Sequence, residues 1–265
     1  MRKGLFAMNQ TKAVSDEHGV ASLYQDATVA EAYIQRRFAQ SWSHTLHRAQ
    51  VTEINRVLKR YQPGYVVELA PGPARIAPEL AGVRRGLMIE NSEQMVALAG
   101  RRLKAAGLEN TWELRRQNAF AVNAATLQCD LLYTFRFIRH FHEEERVRLY
   151  RLAYSALKPE GLLMFDVVNR TLRQRLDAKQ GERPKDELNV YDVTYSPADF
   201  RWEMERQGFS VVSLKPVLQH FELQTWISYT FDHRWRTMAD VAVRFLEKWP
   251  SHEPLEWVAL CRKIL

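Results

Sequence analysis

The sequence predicts an α/β fold: a doubly wound, seven-stranded, mostly parallel sheet with an N-terminal helical extension and substrate-side insertions. Three observations predict it. Short apolar runs of strand length alternate with stretches of helical period from Tyr65 onward. Turn residues mark the switches, as at Pro63-Gly64 and Lys158-Pro159-Glu160-Gly161. The 265 residues are 46% hydrophobic and 26% charged, the balance of a chain that buries a core.

The elements follow in order. Residues 29–40 contain no helix breaker, and Val29, Tyr33 and Arg37 share a face. His47, Val51, Ile54 and Leu58 recur at helical spacing and predict a second helix over 44–59. After Pro63-Gly64, the β-branched run Tyr65-Val66-Val67-Glu68-Leu69 reads as the first strand. Ala70-Pro71-Gly72-Pro73-Ala74 is a turn of small residues, with a helix expected over 75–81. Residues 86–90 make the second strand, and Asn91 reads as the cap of the next helix with Gln94 completing a capping box. Residues 112–116 and 130–135 are the third and fourth strands. Leu149, Leu152, Ala153 and Ala156 line one side of a helix over 143–157, and 162–168 is the fifth strand. A helix over 197–207 leads to the sixth strand at 209–214, and 256–261 closes the sheet as the seventh.

This reading divides the chain into a helical extension, 1–62, and an α/β core, 63–265, with long connections at about 169–196 and 217–255. Parallel strands joined through helices bind ligands beyond their carboxyl ends. Both long connections leave from that side and are expected to roof the substrate.

Composition sets further bounds. Cys129 and Cys261 are too few for a disulfide framework or a cysteine metal cage, so a reducing cytoplasmic location is the simplest expectation. The basic start has too short an apolar run for an export signal. No apolar stretch reaches the roughly 20 residues that cross a bilayer, so no membrane partner is expected. The net charge of +7 favours anionic partners or an acidic substrate.

The chemistry concentrates in the loop after the first strand. Glu68 at the strand end can accept hydrogen bonds from an amino or cationic group, and Glu90 at the end of strand two can hold both hydroxyls of a ribose. A pyrophosphate site needs several glycines and free amides, whereas this loop has one glycine, Gly72, between two prolines that donate nothing. The Glu68 carboxylate would also repel a phosphate. The loop suits a nucleoside with a cationic amino-acid tail better than a dinucleotide.

With these features the chain resembles the class I S-adenosylmethionine-dependent methyltransferases, a Rossmann-like family, over about 65–208 and on to the closing strand. Glu68-Leu69-Ala70-Pro71-Gly72-Pro73-Ala74 resembles the family's acidic, glycine-rich loop, with Ala70 and Ala74 at the outer glycine positions. Ile89-Glu90-Asn91-Ser92 resembles its ribose-binding element, and Gln117-Asn118-Ala119-Phe120 its adenine-binding element, with Asn118 where the family has an acid. Asp130 to Phe135 resembles the fourth strand and Leu157-Lys158-Pro159-Glu160-Gly161 the turn before the fifth. The resemblance implies S-adenosylmethionine as cofactor, S-adenosylhomocysteine as product, no metal, and a cofactor site of Glu68, Ala70, Gly72, Glu90, Asn91, Asn118, Ala119 and Phe135.

It also implies that the loop after strand four, Phe135-Arg136-Phe137-Ile138-Arg139-His140-Phe141-His142, faces the transferred methyl group. His140 is the candidate general base, since imidazole titrates near neutral pH. The alternative is a histidine that caps the following helix or lies on the surface. The loop lacks the Asn/Asp-Pro-Pro-aromatic pattern of nucleobase amino methylases, and neither cysteine is placed for carbon-5 cytosine methylation. Tyr24, Tyr33 and Arg37 are candidate lid residues over the cofactor, by the family's habit, and Arg136, His220 and Trp226 are candidate substrate contacts. Residues 170–185 carry a net +4, read either as a solvated helix or as a dock for an anionic substrate, carrier protein or nucleic acid.

The expected function is methyl transfer to an oxygen or nitrogen of a small, ring-containing metabolite. An RNA methyltransferase, suggested by the charge, and a catalytically silent partner protein of the same fold are the alternatives. The identity of the acceptor and the oligomeric state are not written in the sequence.

Overall fold

A computed structural model describes residues 40–180 and 191–264. The expected first helix, 29–40, lies almost wholly outside them, as do Tyr24, Tyr33 and Arg37.

The described chain opens with α1 (Ser41–Tyr61), which buries Leu46, Val51, Ile54, Val57 and Leu58 on one face. Gln62 ends it in the left-handed conformation at φ 46°. Then come β1 (Val66–Leu69), β2 (Gly86–Glu90), α2 (Glu93–Ala105), β3 (Trp112–Arg116), β4 (Cys129–Thr134), α3 (Glu143–Ala156) and β5 (Leu157–Asn169). The second half holds α4 (Arg170–Gln180), β6 (Thr194–Tyr195), α5 (Pro197–Arg206), β7 (Phe209–Val217), α6 (Phe221–Leu246) and β8 (Glu256–Lys263).

Two local expectations change. The helix foreseen over 75–81 is a single 3-10 turn, Ala77–Glu79. Pro78 fits the first turn of a helix, but the chain leaves helical geometry at Leu80 (ψ 134°). The cap of α2 is Ser92 rather than Asn91, because the Ser92 hydroxyl accepts the Met95 N–H at 3.3 Å. His142 stands at the N-cap of α3, with Glu143, Glu144 and Glu145 in the first turn, where the helix dipole favours anions.

The sheet order is β3-β2-β1-β4-β5-β8-β7, with the two-residue β6 added to the end of β5. Strands β1 to β5 pair in parallel; β8 runs antiparallel between β5 and β7. The chain runs outward from β1 through β2 to β3, then returns to the other side of β1 as β4. That reversal opens a crevice at the carboxyl ends of β1 and β4.

Apolar side chains cover both faces, as a parallel sheet requires. Val67, Leu69, Leu132 and Leu163 pack with Leu149, Tyr150 and Ala153 of α3 and Phe200 and Met204 of α5. Val66, Met88, Leu131 and Tyr133 pack with α1 and with Ala99 and Leu103 of α2. Register places Glu68 beside Tyr133 across β1 and β4, and Leu69 beside Ile89, so that Glu90 projects one residue past the tip of β1.

Candidate active site

Beyond β1 the backbone takes three left-handed residues in five: Ala70 (φ 51°), Gly72 (φ 57°) and Ala74 (φ 51°). Glycine adopts this conformation freely, while an L-residue gives up about 1–2 kcal/mol. The outer positions hold alanine, the smallest side chain that carries the penalty. A Cβ placed on Gly72 would meet nothing within 4 Å, so this residue lies open at the cleft. Pro71 and Pro73 have no N–H, and the Gly72 N–H donates to Glu90 Oε2 at 2.9 Å.

Glu90 therefore ties two strand tips together. Its Oε1 accepts the Ser92 N–H, also at 2.9 Å, and the residue is 7% exposed. Burial pushes its carboxyl up, opposed by the Ser92, Gly72 and Asn91 N–H groups. A carboxylate has about four acceptor sites, so these N–H groups leave capacity for a ligand hydroxyl.

Glu68 lines the same cleft and is also buried. The Tyr133 hydroxyl donates to its Oε2 at 2.8 Å. Burial pushes the Glu68 carboxyl up to about 7, against the lowering effects of the Tyr133 hydrogen bond and the Arg75 charge, with Glu90 adding to the rise. A buried acid with so little compensation favours a cation beside it.

Arg75, which the sequence reading did not single out, lines this end of the cleft. Its guanidinium contacts His47 Nδ1 at 2.7 Å and donates to Gln50 Oε1 at 2.5 Å, both on α1. His47 Nε2 lies 2.5 Å from Glu79, and burial holds its imidazole below the usual range. The one signal for Arg75 was its place directly after the small-residue loop.

The other end of the cleft is aromatic. Phe120, Phe137 and Phe141 sit around one another, with ring centroids 5.2 Å apart for Phe120–Phe141 and Phe137–Phe141. Asn118 leads into this wall and accepts the Phe120 N–H on its Oδ1 at 2.9 Å. A second lone pair on that oxygen can accept from an exocyclic amino group. Phe137 and Phe141 had no individual signal in the sequence, because loop aromatics are as often core as site. The cleft encloses about 940 Å³ of empty space, part of it open to solvent.

Glu68, Ala70, Gly72, Glu90, Asn91, Asn118, Ala119 and Phe135, together with Arg136, all line this cleft. His140 does not: it is 3% exposed and outside the lining. Its Nδ1 lies 2.9 Å from the Tyr191 carbonyl and 3.0 Å from the Asp192 carboxylate, while Nε2 is buried without a hydrogen-bond partner among the described residues. A carbonyl can only accept, so Nδ1 is the donor in this contact. His220 lines a separate surface depression with Leu172, Arg175 and Phe221, and Trp226 is 57% exposed.

The wall behind Arg136 is held by buried charge. Asp166 on β5 accepts the Arg136 N–H at 2.7 Å and the Arg139 guanidinium at 2.7 Å. Arg139 also meets Asp192 at 2.8 Å and Glu256 of β8 at 3.1 Å. Cys129 and Cys261 are buried in the sheet; burial raises both thiols, Cys129 to about 12, which silences them as nucleophiles. Among the described residues no group of three or more His, Cys, Asp or Glu could hold a metal ion.

The cleft thus offers a buried acid for a cation, a second acid for a diol and an aromatic slot for a flat ring. Residues 66–161 match the family described as "Methyltransferase domain". No curated protein sequence matches the chain. Solved structures share the fold at low identity. Magnesium protoporphyrin IX methyltransferase from Synechocystis, solved with bound SAH, is 13% identical at a TM-score of 0.63, covering 94% of this chain and 100% of its own. The 1,6-didemethyltoxoflavin-N1-methyltransferase of Burkholderia thailandensis, with its substrate and S-adenosylhomocysteine, is 12% identical at 0.59, covering 96% and 93%. The [4+2]-cyclase SpnF is 16% identical at 0.63, covering 96% and 98%.

Proposed function

We propose, starting from the methyltransferase domain that residues 66–161 form, that this protein is an S-adenosylmethionine-dependent methyltransferase acting on an oxygen or nitrogen of a small, ring-bearing metabolite. The observation that carries the proposal is that Glu68 and Glu90 line one cleft, with Glu90 tied to the Gly72 loop by a 2.9 Å hydrogen bond. When bound, the cofactor supplies a methyl group already activated on a sulfonium.

The residues divide the work. Glu68 faces the cofactor's ammonium group, and the remaining acceptor sites of Glu90 take its ribose hydroxyls. Asn118 accepts from the adenine amino group, and Phe120 with its neighbours excludes water from the ring. The protein then contributes mainly alignment of acceptor and methyl group. His140 is the proposed base through Nε2, since Nδ1 donates to the Tyr191 carbonyl.

The small-molecule acceptor is supported by the solved relatives of like fold, two of which are named for methylation of ring compounds. A [4+2]-cyclase carries the same fold, so the fold alone does not dictate methyl transfer.

The test is incubation of the full chain with S-adenosylmethionine labelled at the methyl group, against fractionated metabolites and against RNA. Label is expected in a small-molecule fraction. Glu90→Ala should weaken cofactor binding by about 1–3 kcal/mol in a protein that still folds, and unchanged affinity removes Glu90 from the site. For His140→Gln, turnover is expected to fall with cofactor affinity retained; full turnover discards the base assignment. Normal cofactor affinity with no label transferred to any fraction supports the silent reading.

A further inference from the structure

Helix α6 carries chemistry that neither the cleft nor the sheet uses. Its inner face is committed: Gln224, Ser228, Ala239 and Val243 are buried. Asp232 accepts from the Ser41 hydroxyl at 2.5 Å and Asp240 pairs with Arg48 at 2.7 Å, which seats α6 on α1. The remaining acids are engaged too. Glu222 pairs with Lys179 at 2.6 Å, and Glu247, at the helix end, accepts the Leu218 and Gln219 N–H groups at 2.9 Å.

The outer face is different. Met238, Val241 and Phe245 share one side of the helix that follows a kink at Trp235, and Trp249, in the turn after the helix, lies against Phe245 with ring centroids 5.7 Å apart. They are 69%, 60%, 55% and 58% exposed, and Trp235 just before them is 50% exposed. Exposed apolar side chains are ordinary when scattered; a continuous stripe marks an interaction surface. Arg234, Arg236, Arg244 and Lys248 are exposed on the same segment. None of the four forms an ion pair among the described residues; Arg234 lies over Trp235, whereas Arg236 turns to α1 and contacts His44, which leaves Arg234, Arg244 and Lys248 beside the stripe. Each carboxylate of α6 is engaged, and Glu222, whose side chain is 39% exposed, pairs with both Lys179 and Arg175.

Three occupants can be weighed by charge and polarity. A second copy of this chain, meeting it across a two-fold axis, would bring the same outer-face cations together. A nucleic acid would satisfy the cations and stack on Trp, but would leave Met238 and Val241 against polar surface. An anionic bilayer satisfies both parts: acyl chains take the apolar stripe and headgroups take Arg234, Arg244 and Lys248, the combination found in helices that lie in the interfacial plane. We propose that the outer face of α6 docks this protein on an anionic lipid surface. No helix among the described residues is long and apolar enough to cross a membrane, which concerns spanning and not surface docking. The expectation of no membrane partner rested on spanning length alone.

The test is co-sedimentation of the full chain with vesicles of phosphatidylcholine alone and with vesicles in which a third of the lipid is phosphatidylglycerol. Partition is expected to rise about tenfold with the anionic lipid and to fall at high salt. Phe245→Ser/Trp249→Ser and Arg244→Glu/Lys248→Glu each change only exposed side chains, and circular dichroism verifies that both variants fold. Each should lower partition about tenfold. Equal, low partition into both vesicles overturns the proposal, as does unchanged binding of the charge-reversed variant. So does self-association, or binding of a single-stranded RNA oligonucleotide, that Phe245→Ser/Trp249→Ser abolishes while vesicles are ignored.

Discussion

Glu68 shows how one residue can couple ligand, proton and fold. Its carboxyl titrates at 4.5 ordinarily and at about 7 in the folded, ligand-free protein, chiefly because burial disfavours the charge. Between those values the folded chain holds a proton that the unfolded chain has released. Stability is therefore fully present below about pH 4.5 and is lost as pH rises through 7, and the whole shift corresponds to roughly 3 kcal/mol. Glu90, raised in the same direction, adds to the slope. Chemical denaturation across this window should show stability falling with pH, and Glu68→Gln should flatten the fall. Equal slopes in the two proteins would mean that Glu68 ionises normally. On the proposed function, a cation beside Glu68 restores its charge, so cofactor binding should release protons below about pH 7. Titration calorimetry in two buffers of different ionisation enthalpy measures that release.

At the scale of elements, the post-β4 segment is held by charge rather than by its own secondary structure. Arg139 reaches Asp166 on β5, Glu256 on β8 and Asp192 just before β6, and Asp166 also accepts the Arg136 N–H at the cleft. Removing the cation leaves three carboxylates buried without it. Arg139→Met is expected to cost about 3–5 kcal/mol in denaturant unfolding, a loss far larger than the Met volume change explains. A loss under about 1 kcal/mol would show that the acids find other partners or take up protons. The helices illustrate a different balance. The spacing of His47, Val51, Ile54 and Leu58 predicts α1, and all but His47 are buried in it. Over 75–81 the periodicity argument fails: Pro78 is tolerated at the start of a turn, but nothing in that short stretch continues the helix past Glu79.

For the whole molecule, the cleft sits at the reversal of strand order, so a ligand there bridges loops from β1, β2, β3 and β4. Binding should stabilise the entire fold, since a ligand that binds only the native state adds about 3 kcal/mol at a hundredfold excess over Kd. For a chain of this size that corresponds to a rise in Tm of roughly 5–10 °C. S-adenosylhomocysteine is expected to give this shift and a nicotinamide dinucleotide none; the reverse pattern would reassign the crevice to a dinucleotide.

Much of this plan was legible in the residues. Strand-length apolar runs, helical stripes and turn residues are local, and they determined the order of strands and helices. Glu68, Gly72, Glu90 and Asn118 stand at strand tips by sequence position alone, so the parallel topology sufficed to gather them on one cleft. What only the tertiary structure decided depends on which distant elements meet. Arg75 enters the cleft because α1 offers it His47 and Gln50; His140 is drawn inward by Tyr191 and Asp192, some fifty residues away; and the aromatic stripe of α6 stays exposed because α1 occupies only its other side. Local patterning specifies what an element is, whereas its neighbours are selected by packing between segments far apart in the chain, and that information is spread over the whole molecule.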